Sequence, residues 1–299
     1  MPKRVYRKRS LLSNFKQING EGAMKCIYCN SFLTVKNGYD KKGVQRYKCN
    51  DCKRRFCERG IFARMRFPKE VITNALFLRL YPLSTRNVKR ILKKLNYIKV
   101  SHVSVYNWII KFAPHLCKFV NVFPLQFTKL WHVDEKFIKV KGSKDDFSYL
   151  WIVSDSSNNI IATHVSFARD IINAKIVLQK AKQRAGFIPD ILISDGLQSY
   201  KKACKKTFGR KTRHVTAHFE ARGIIHKGKF YKLSNNIAES INRFYALWLH
   251  VCKGFKRLDN ANLWIEFFTV NYNYLMPRGE KQEVKVEWKK VPMLIRNMH

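Results

Sequence analysis

Apolar positions recur at helical spacing in three stretches between Lys69 and Pro114. Val71, Ile72, Ala75, Leu76, Leu78 and Leu80 predict a helix over Lys69 to Leu80 that stops at Tyr81-Pro82. Ser84-Thr85 is placed to cap a second helix, Arg86 to Leu95. Its Val88, Ile91, Leu92 and Leu95 share one face, while Arg86, Lys89, Arg90, Lys93 and Lys94 crowd the other. A third pattern opens at Ser101, carries Val103, Val105, Tyr106, Ile109 and Ile110, and is expected to end at Pro114. Three short helices with a tight turn before the last resemble a helix-turn-helix, although a plain three-helix packing unit has the same spacing.

From residue 130 the period shortens. Leu130 to Val140, Tyr149 to Asp155 and Asn159 to Phe167 read as three consecutive strands, an antiparallel meander with its first turn at Gly142 to Asp146. A helix is expected over Ala168 to Gln183, a short apolar strand over Pro189 to Asp195, a helix over Leu197 to Phe208 and a fifth strand over Thr212 to Ala217. Asn235-Asn236 caps a long helix reaching about Cys252, and Thr216 to Ser234 has room for an extra loop or hairpin. The aromatic run Trp248, Phe255, Trp264, Phe267, Phe268, Tyr272 and Tyr274 is expected in the core, with a last helix over Asn260 to Leu275.

Charge narrows the partners. Of 299 residues, 59 are Lys or Arg and 20 Asp or Glu, a formal charge of +39, and Val71 to Leu130 holds ten basic residues and no acidic one. A surface so depleted of carboxylates suits phosphates, so nucleic acid is the first partner to test. With 46% hydrophobic residues the chain can build a folded core. No apolar stretch is long enough for a membrane span, and Leu11-Leu12 is too short for the core of a signal peptide. The expectation is a cytoplasmic, nucleoid-associated protein with reduced thiols.

In that setting eight cysteines ask for a metal before a disulfide. Cys26-Ile-Tyr-Cys29 and Cys49-Asn-Asp-Cys52 give two C-x2-C pairs nineteen residues apart, with Asn37-Gly38 and Lys42-Gly43 available for a hairpin between them. Four thiolates complete a tetrahedron for a structural zinc ion. Cys57 lies near but outside the pattern, and Cys117, Cys204 and Cys252 read as small core residues. Lys48, Lys53, Arg54 and Arg55 surround the second pair, as a zinc ribbon lying on a phosphate backbone would require. In the helix-turn-helix reading, Ser101, His102, Ser104 and Asn107 reach base edges and Lys111 a phosphate.

Strands one to three, helix, strand four, helix, strand five, helix is the order of a ribonuclease H-like α/β domain. Asp134 falls on the first strand, Asp195 after the fourth and Glu239 on the last helix, with sixty and forty-three residues between them. Three carboxylates converging from those places suit two Mg²⁺ or Mn²⁺ ions. Glu135, next on the strand, should face the opposite side and be a surface or salt-bridged residue; Asp155 reads as a turn residue. His132, His214, His218 and His226 are possible aids to aligning water or phosphate.

Trp131-His-Val-Asp134-Glu, Ile193-Ser-Asp195-Gly and Asn235-Asn-Ile-Ala-Glu239-Ser-Ile-Asn-Arg243, followed by Lys253-Gly-Phe255, resemble the acidic-triad (DDE) transposases of prokaryotic insertion sequences, nearest to the group numbered six/240. The resemblance covers roughly residues 125–278. It implies Asp134, Asp195 and Glu239 as metal ligands, cleavage of DNA strands at the inverted-repeat ends of the element, attack of the freed 3′-hydroxyl on target DNA, and a homodimer or higher oligomer that pairs two ends. The family's basic residue two turns after the glutamate is Ala246 here, leaving Arg243 or Lys253 to substitute. The expected organisation is a basic arm (1–22), zinc ribbon (23–62), helix-turn-helix domain (63–118), catalytic domain (125–278) and basic tail (279–299). Two other readings share these features: a DNA-binding regulator with an inactive ribonuclease H-like domain, and a nuclease or resolvase of the same fold.

Overall fold

The computed structural model describes residues 24–41, 43–57, 62, 65–96, 99–120, 125–143, 147–216, 223–232 and 236–275. The expected basic arm and tail, Asn235 and His218 lie outside them. The chain divides into two compact units with the boundary between Lys69 and Glu70.

In the first unit, β1 (Thr34–Tyr39), β2 (Gln45–Cys49) and β3 (Arg55–Cys57) form an antiparallel sheet in that order. Its small core is Cys26, Cys49, Tyr47 and Phe56, the two rings stacked at 5.6 Å. The two C-x2-C segments fold alike. The Cys26 N–H donates to the Ser31 carbonyl at 2.8 Å and the Cys49 N–H to the Arg54 carbonyl at 3.0 Å, and the residue after each second cysteine, Asn30 or Lys53, has a φ near +60°. That shared left-handed step turns each pair of thiols inward.

The second unit is built on a five-stranded sheet of β4 (Leu130–Ile138), β5 (Ser148–Asp155), β6 (Ile160–Ser166), β7 (Ile191–Ser194) and β8 (Arg213–Thr216), ordered β6-β5-β4-β7-β8. The β4-β5 and β5-β6 pairs are antiparallel, and β4-β7 and β7-β8 parallel. This is the ribonuclease H-like arrangement. Alternation along the strands sorts the side chains. Trp131, Val133, Trp151, Val153 and Leu192 pack against α4 (Ile171–Ala185) and α5 (Gln198–Phe208), which bring Val177, Leu178, Tyr200, Ala203 and Phe208. His132, Asp134, Ile152 and Ser154 point the other way, toward Ala238, Ile241 and Asn242 of α6 (Asn236–Cys252). The helix expected from Ala168 begins at Ile171 because Asp170 caps it, accepting the Asn173 N–H at 2.8 Å. The extra segment after β8 is a hairpin, β9 (Gly223–His226) and β10 (Lys229–Lys232), turning at Lys227-Gly228 with positive φ at both residues.

Three helices precede the sheet: α1 (Lys69–Arg79), α2 (Thr85–Asn96) and α3 (His102–Val120). The third does not stop at Pro114. Ala113, Leu116 and Cys117 are buried on the side that packs against α7 (Leu258–Val270), and this tertiary contact carries the helix through the proline. The last helix likewise departs from the expected Asn260 to Leu275: after Val270 the chain makes one wider π-turn, Asn271–Leu275, whose Asn273 amide exchanges hydrogen bonds of 2.9 and 2.8 Å with the Ile160 backbone on edge strand β6.

The helical segment packs within the same compact unit as the sheet instead of forming one of its own. Arg79, 2% exposed, puts its guanidinium over Trp248, Trp264 and Phe268 at 5.5, 4.6 and 5.1 Å and donates to Cys252 Sγ at 3.2 Å. Burial without a carboxylate partner lowers its pKa, and the ring faces take the place of an anion.

Candidate active site and cysteine cluster

The parallel register of β4 and β7 sets His132 against Ile193. Two residues after each of these stand Asp134, still on β4, and Asp195, the residue that follows the end of β7. Gly196, with φ +99°, turns the chain away just beyond, and the Leu197 N–H donates to Asp195 Oδ1 at 3.2 Å. Carboxylate oxygens of Asp134, Glu135 and Asp195 lie within 4.8 Å of one another. Burial raises the Asp134 pKa and the Asp195 charge adds to it, against hydrogen bonds from Asn242 Nδ2 at 2.7 Å and the Glu135 N–H at 2.9 Å. A cation beside the pair would relieve both effects, and the donors are all hard oxygens.

Glu135 faces the helix side of the sheet, as its place on the strand requires, and is salt-bridged. It binds Arg169 through Oε1 and the Tyr200 hydroxyl through Oε2. Burial raises its pKa as well. Asp155 is a turn residue: buried, it accepts hydrogen bonds from Thr128 N, Ser157 N, Asn159 N and Asn159 Nδ2 at 3.0, 3.1, 2.7 and 3.2 Å.

Glu239 is not brought into this group. It lies in the first turn of α6, its side chain 63% exposed, 3.7 Å from Arg243 one turn on. Asn242, three residues after it, is the α6 side chain that touches Asp134. Lys253 is exposed in the turn after α6, which Phe255 fastens to the end of the β4 segment through 2.8 Å hydrogen bonds with Lys139 and Lys141. Gly254 fits there with φ +110°; a Cβ would stand 3.2 Å from Lys139. His132 is buried with both ring nitrogens unpartnered, and burial holds its pKa down at about 4. His214 Nε2 pairs with Ser194 Oγ at 2.9 Å, beside Asp195.

Sequence reasoning missed Asn242, Arg169 and Tyr200. Asn242 carried a usable signal, being one turn after Glu239 on a helix expected to reach the site. Tyr200 is hidden in an apolar stripe, and Arg169 is one basic residue among fifty-nine.

In the other unit, sulfurs of Cys26, Cys29, Cys49 and Cys52 come together within 4.8 Å, with Cys26 3.6 Å from Cys52 and Cys29 3.5 Å from Cys49. A tetrahedron with 2.3 Å metal–sulfur bonds has edges of about 3.8 Å, so the cluster has the dimensions of a zinc site. Burial works against the Cys49 thiolate, but the Cys52 and Asp51 N–H groups outweigh it and bring the thiol down to about 7. Cys57 stays outside the cluster. Lys48, Lys53, Arg54 and Arg55 are exposed, with Arg54 over the Tyr28 ring at 5.1 Å.

At the start of α3, Ser101 caps the helix, accepting the Ser104 N–H at 2.9 Å with the two hydroxyls also paired. Asn107 and Lys111 are exposed. His102 lines a cavity of about 380 Å³ with Arg79, Tyr106, Lys256 and Trp264. Among the described residues no helix is long and apolar enough to cross a membrane.

Comparison with known proteins matches residues 128–274 to a family described as a DDE domain, that of IS240-type transposases. Over 147 residues the chain is 31% identical to the transposase for insertion sequence-like element IS431mec of Staphylococcus aureus (strain Mu50 / ATCC 700699), and equally to the transposase for insertion sequence element IS257 in transposon Tn4003 of Staphylococcus aureus. Each match takes in 48% of this chain and 63% of the relative, so the chain spans under two thirds of their length. Among solved structures, the HTLV-2 integrase catalytic core domain in complex with magnesium (trimeric form) is 14% identical with a TM-score of 0.37, covering 54% of this chain and 95% of that one. A simian T-cell lymphotropic virus intasome in complex with PP2A regulatory subunit B56 gamma is 16% identical with a TM-score of 0.36, covering 68% and 70%. The segment from 128 to 274 is thus similar, over its whole length, to the DDE domain of the IS240 group of insertion-sequence transposases.

Proposed function

We propose that the chain is a DNA transposase that binds the ends of an insertion sequence and catalyses strand cleavage and strand transfer with divalent cations. The observation that carries this reading is the convergence of the carboxylates of Asp134, on β4, and Asp195, just after the neighbouring parallel strand β7, within a segment that matches a DDE domain. Asp134 and Asp195 would hold Mg²⁺ or Mn²⁺, with Glu239 as third ligand once its side chain turns from Arg243 toward the aspartates. Two ions there would supply activation of the nucleophile and stabilisation of the leaving oxygen. The chain's part is to fix the carboxylates: Asn242 orients Asp134 and ties α6 to β4, and the Leu197 N–H steadies Asp195. In cleavage, water loses a proton and attacks phosphorus, the P–O3′ bond breaks, and the 3′ oxygen leaves and takes up a proton. In strand transfer that 3′-hydroxyl attacks a target phosphodiester in the same way.

Cys26, Cys29, Cys49 and Cys52 would hold a structural Zn²⁺, leaving Lys48, Lys53, Arg54 and Arg55 for the phosphate backbone. On α3, Asn107 and Lys111 are exposed at the surface and would contact DNA, whereas Ser101 and Ser104 serve the helix cap. Pairing of two DNA ends calls for at least a homodimer.

The exposed Glu239 favours a second reading, a DNA-binding regulator with an inactive catalytic fold. One experiment separates them. The full chain is incubated with the DNA flanking its own gene and Mg²⁺, and products are examined for 3′-hydroxyl ends at the element boundary and for their joining to a plasmid. Asp134→Asn, Asp195→Asn and Glu239→Gln should each abolish both products. Specific binding without cutting would overturn the enzyme reading.

A further inference from the structure

Arg169 stands one residue before the cap of α4, at the rim of the carboxylate group. Its side chain is 36% exposed, while that of Glu135, which holds it, is 4% exposed. Glu135 has both oxygens engaged, Oε1 by Arg169 Nη2 and Oε2 by the Tyr200 hydroxyl. Tyr200 is itself fixed, buried edge-on against Trp151 at 5.7 Å. A carboxylate occupied at both oxygens is poorly available as a metal ligand, and what it does instead is aim a guanidinium. Arg169 Nη2 reaches to 3.8 Å from Asp195 Oδ2, too far for a hydrogen bond. Nε and Nη1 have no partner among the described residues. The result is a partly exposed cation anchored from inside the core beside Asp195.

A planar fork of N–H donors held in one orientation matches two oxygens of a phosphate, and rigid anchoring reduces the entropy lost on binding. Arg243, the basic residue on α6, already faces Glu239. We propose that Arg169 donates to a non-bridging oxygen of the DNA phosphate presented to Asp134 and Asp195, orienting it and stabilising the charge that grows there during attack. This rests on the strand-cleavage reading above.

The test uses the full chain and the duplex that flanks its gene. Binding is measured with Ca²⁺ in place of Mg²⁺ across a range of salt, and single-turnover cleavage with Mg²⁺ at saturating DNA. Arg169→Gln should flatten the slope of log K against log salt by about one phosphate contact, roughly 0.9. It should also slow cleavage about 100-fold, the usual effect of losing one charge-stabilising donor. Arg169→Lys should recover part of both. The double variant Glu135→Gln/Arg169→Gln should be no faster than Arg169→Gln. An unchanged salt slope, or a double variant restored to the unmodified rate, would overturn the proposal, the latter by reducing Arg169 to a counter-ion for Glu135. If the unmodified chain binds the duplex and does not cut it, the cleavage reading fails, and the salt slope still decides whether Arg169 touches phosphate.

Discussion

Asp155→Ala removes the acceptor of four hydrogen bonds at the end of β5. Two of the donors, the backbone and side-chain amides of Asn159, belong to a residue 3% exposed, so water cannot readily replace the carboxylate. Leaving a buried donor unsatisfied costs about 1–3 kcal/mol, and because Asn159 Nδ2 keeps the Gln126 carbonyl at 3.4 Å the two together come to about 2–4 kcal/mol. The donors on Thr128 and Ser157 are nearer solvent and add less. A loss of about 4 kcal/mol is a large share of an ordinary domain stability of roughly 5–15 kcal/mol. Asp155→Asn keeps one acceptor oxygen and should lose about half as much. Guanidinium unfolding followed by circular dichroism measures both. A loss under about 1 kcal/mol for Asp155→Ala would refute the hydrogen-bond accounting, and loss of Mg²⁺-dependent cleavage by a well-folded Asp155→Asn would return Asp155 to the candidate metal ligands.

His132 gives a pH dependence of known sign. Burial holds its folded pKa at about 4, below the unfolded 6.5, so its contribution is complete above pH 6.5 and is lost as pH falls from 6.5 toward 4. Between pH 7 and 5 this amounts to about 2 kcal/mol at about 1.4 kcal/mol per unit, and His132→Leu should remove that part of the acid sensitivity in urea titrations; equal loss in the variant would contradict it. Arg79→Ala should destabilise the second unit by about 3–5 kcal/mol through the void left among Trp248, Trp264 and Phe268, whereas Arg79→Met, which fills the space without charge, should stay within about 1.5 kcal/mol. Thermal melts showing the two variants equally impaired would mean the charge matters more than the volume. Native mass spectrometry should find one zinc ion per chain, absent in Cys49→Ser, with hydrogen exchange accelerated in β2 and unchanged in β4 and β5; a zinc-free native chain with a protected β2 would rule the ion out.

The strand order and the convergence of Asp134 with Asp195 were legible because the local pattern gives the succession of three strands, helix, strand, helix and strand, and that succession brings the first and fourth strands side by side. Trp131 and Val133 alternate with His132 and Asp134, and that period fixes which way the Asp134 carboxylate points. The cysteine knuckles were legible for a similar reason, the ligands being close in sequence. Pro114 was misread because a local rule was overruled by burial of Ala113, Leu116 and Cys117 against a helix about 150 residues away. The Arg169–Glu135–Tyr200 chain was out of reach: its members are 34 and 65 residues from Glu135, and no spacing rule joins a loop arginine, a strand glutamate and a helix tyrosine. Glu239 was placed correctly on its helix, but which way a first-turn side chain points depends on the charge beside it, here Arg243.

Trp248 sits on α6, and Trp264 and Phe268 on α7, so the Arg79 guanidinium is gripped from both at once. The leading helices therefore cannot swivel without dragging along the helix that bears Glu239. On the proposed reading, the bases touched by α3 and the bond that is cut are separated by a length built into the molecule, like the jaws of a fixed spanner. Changing letters between those two points would matter little, whereas adding a single base pair would put the scission out of step.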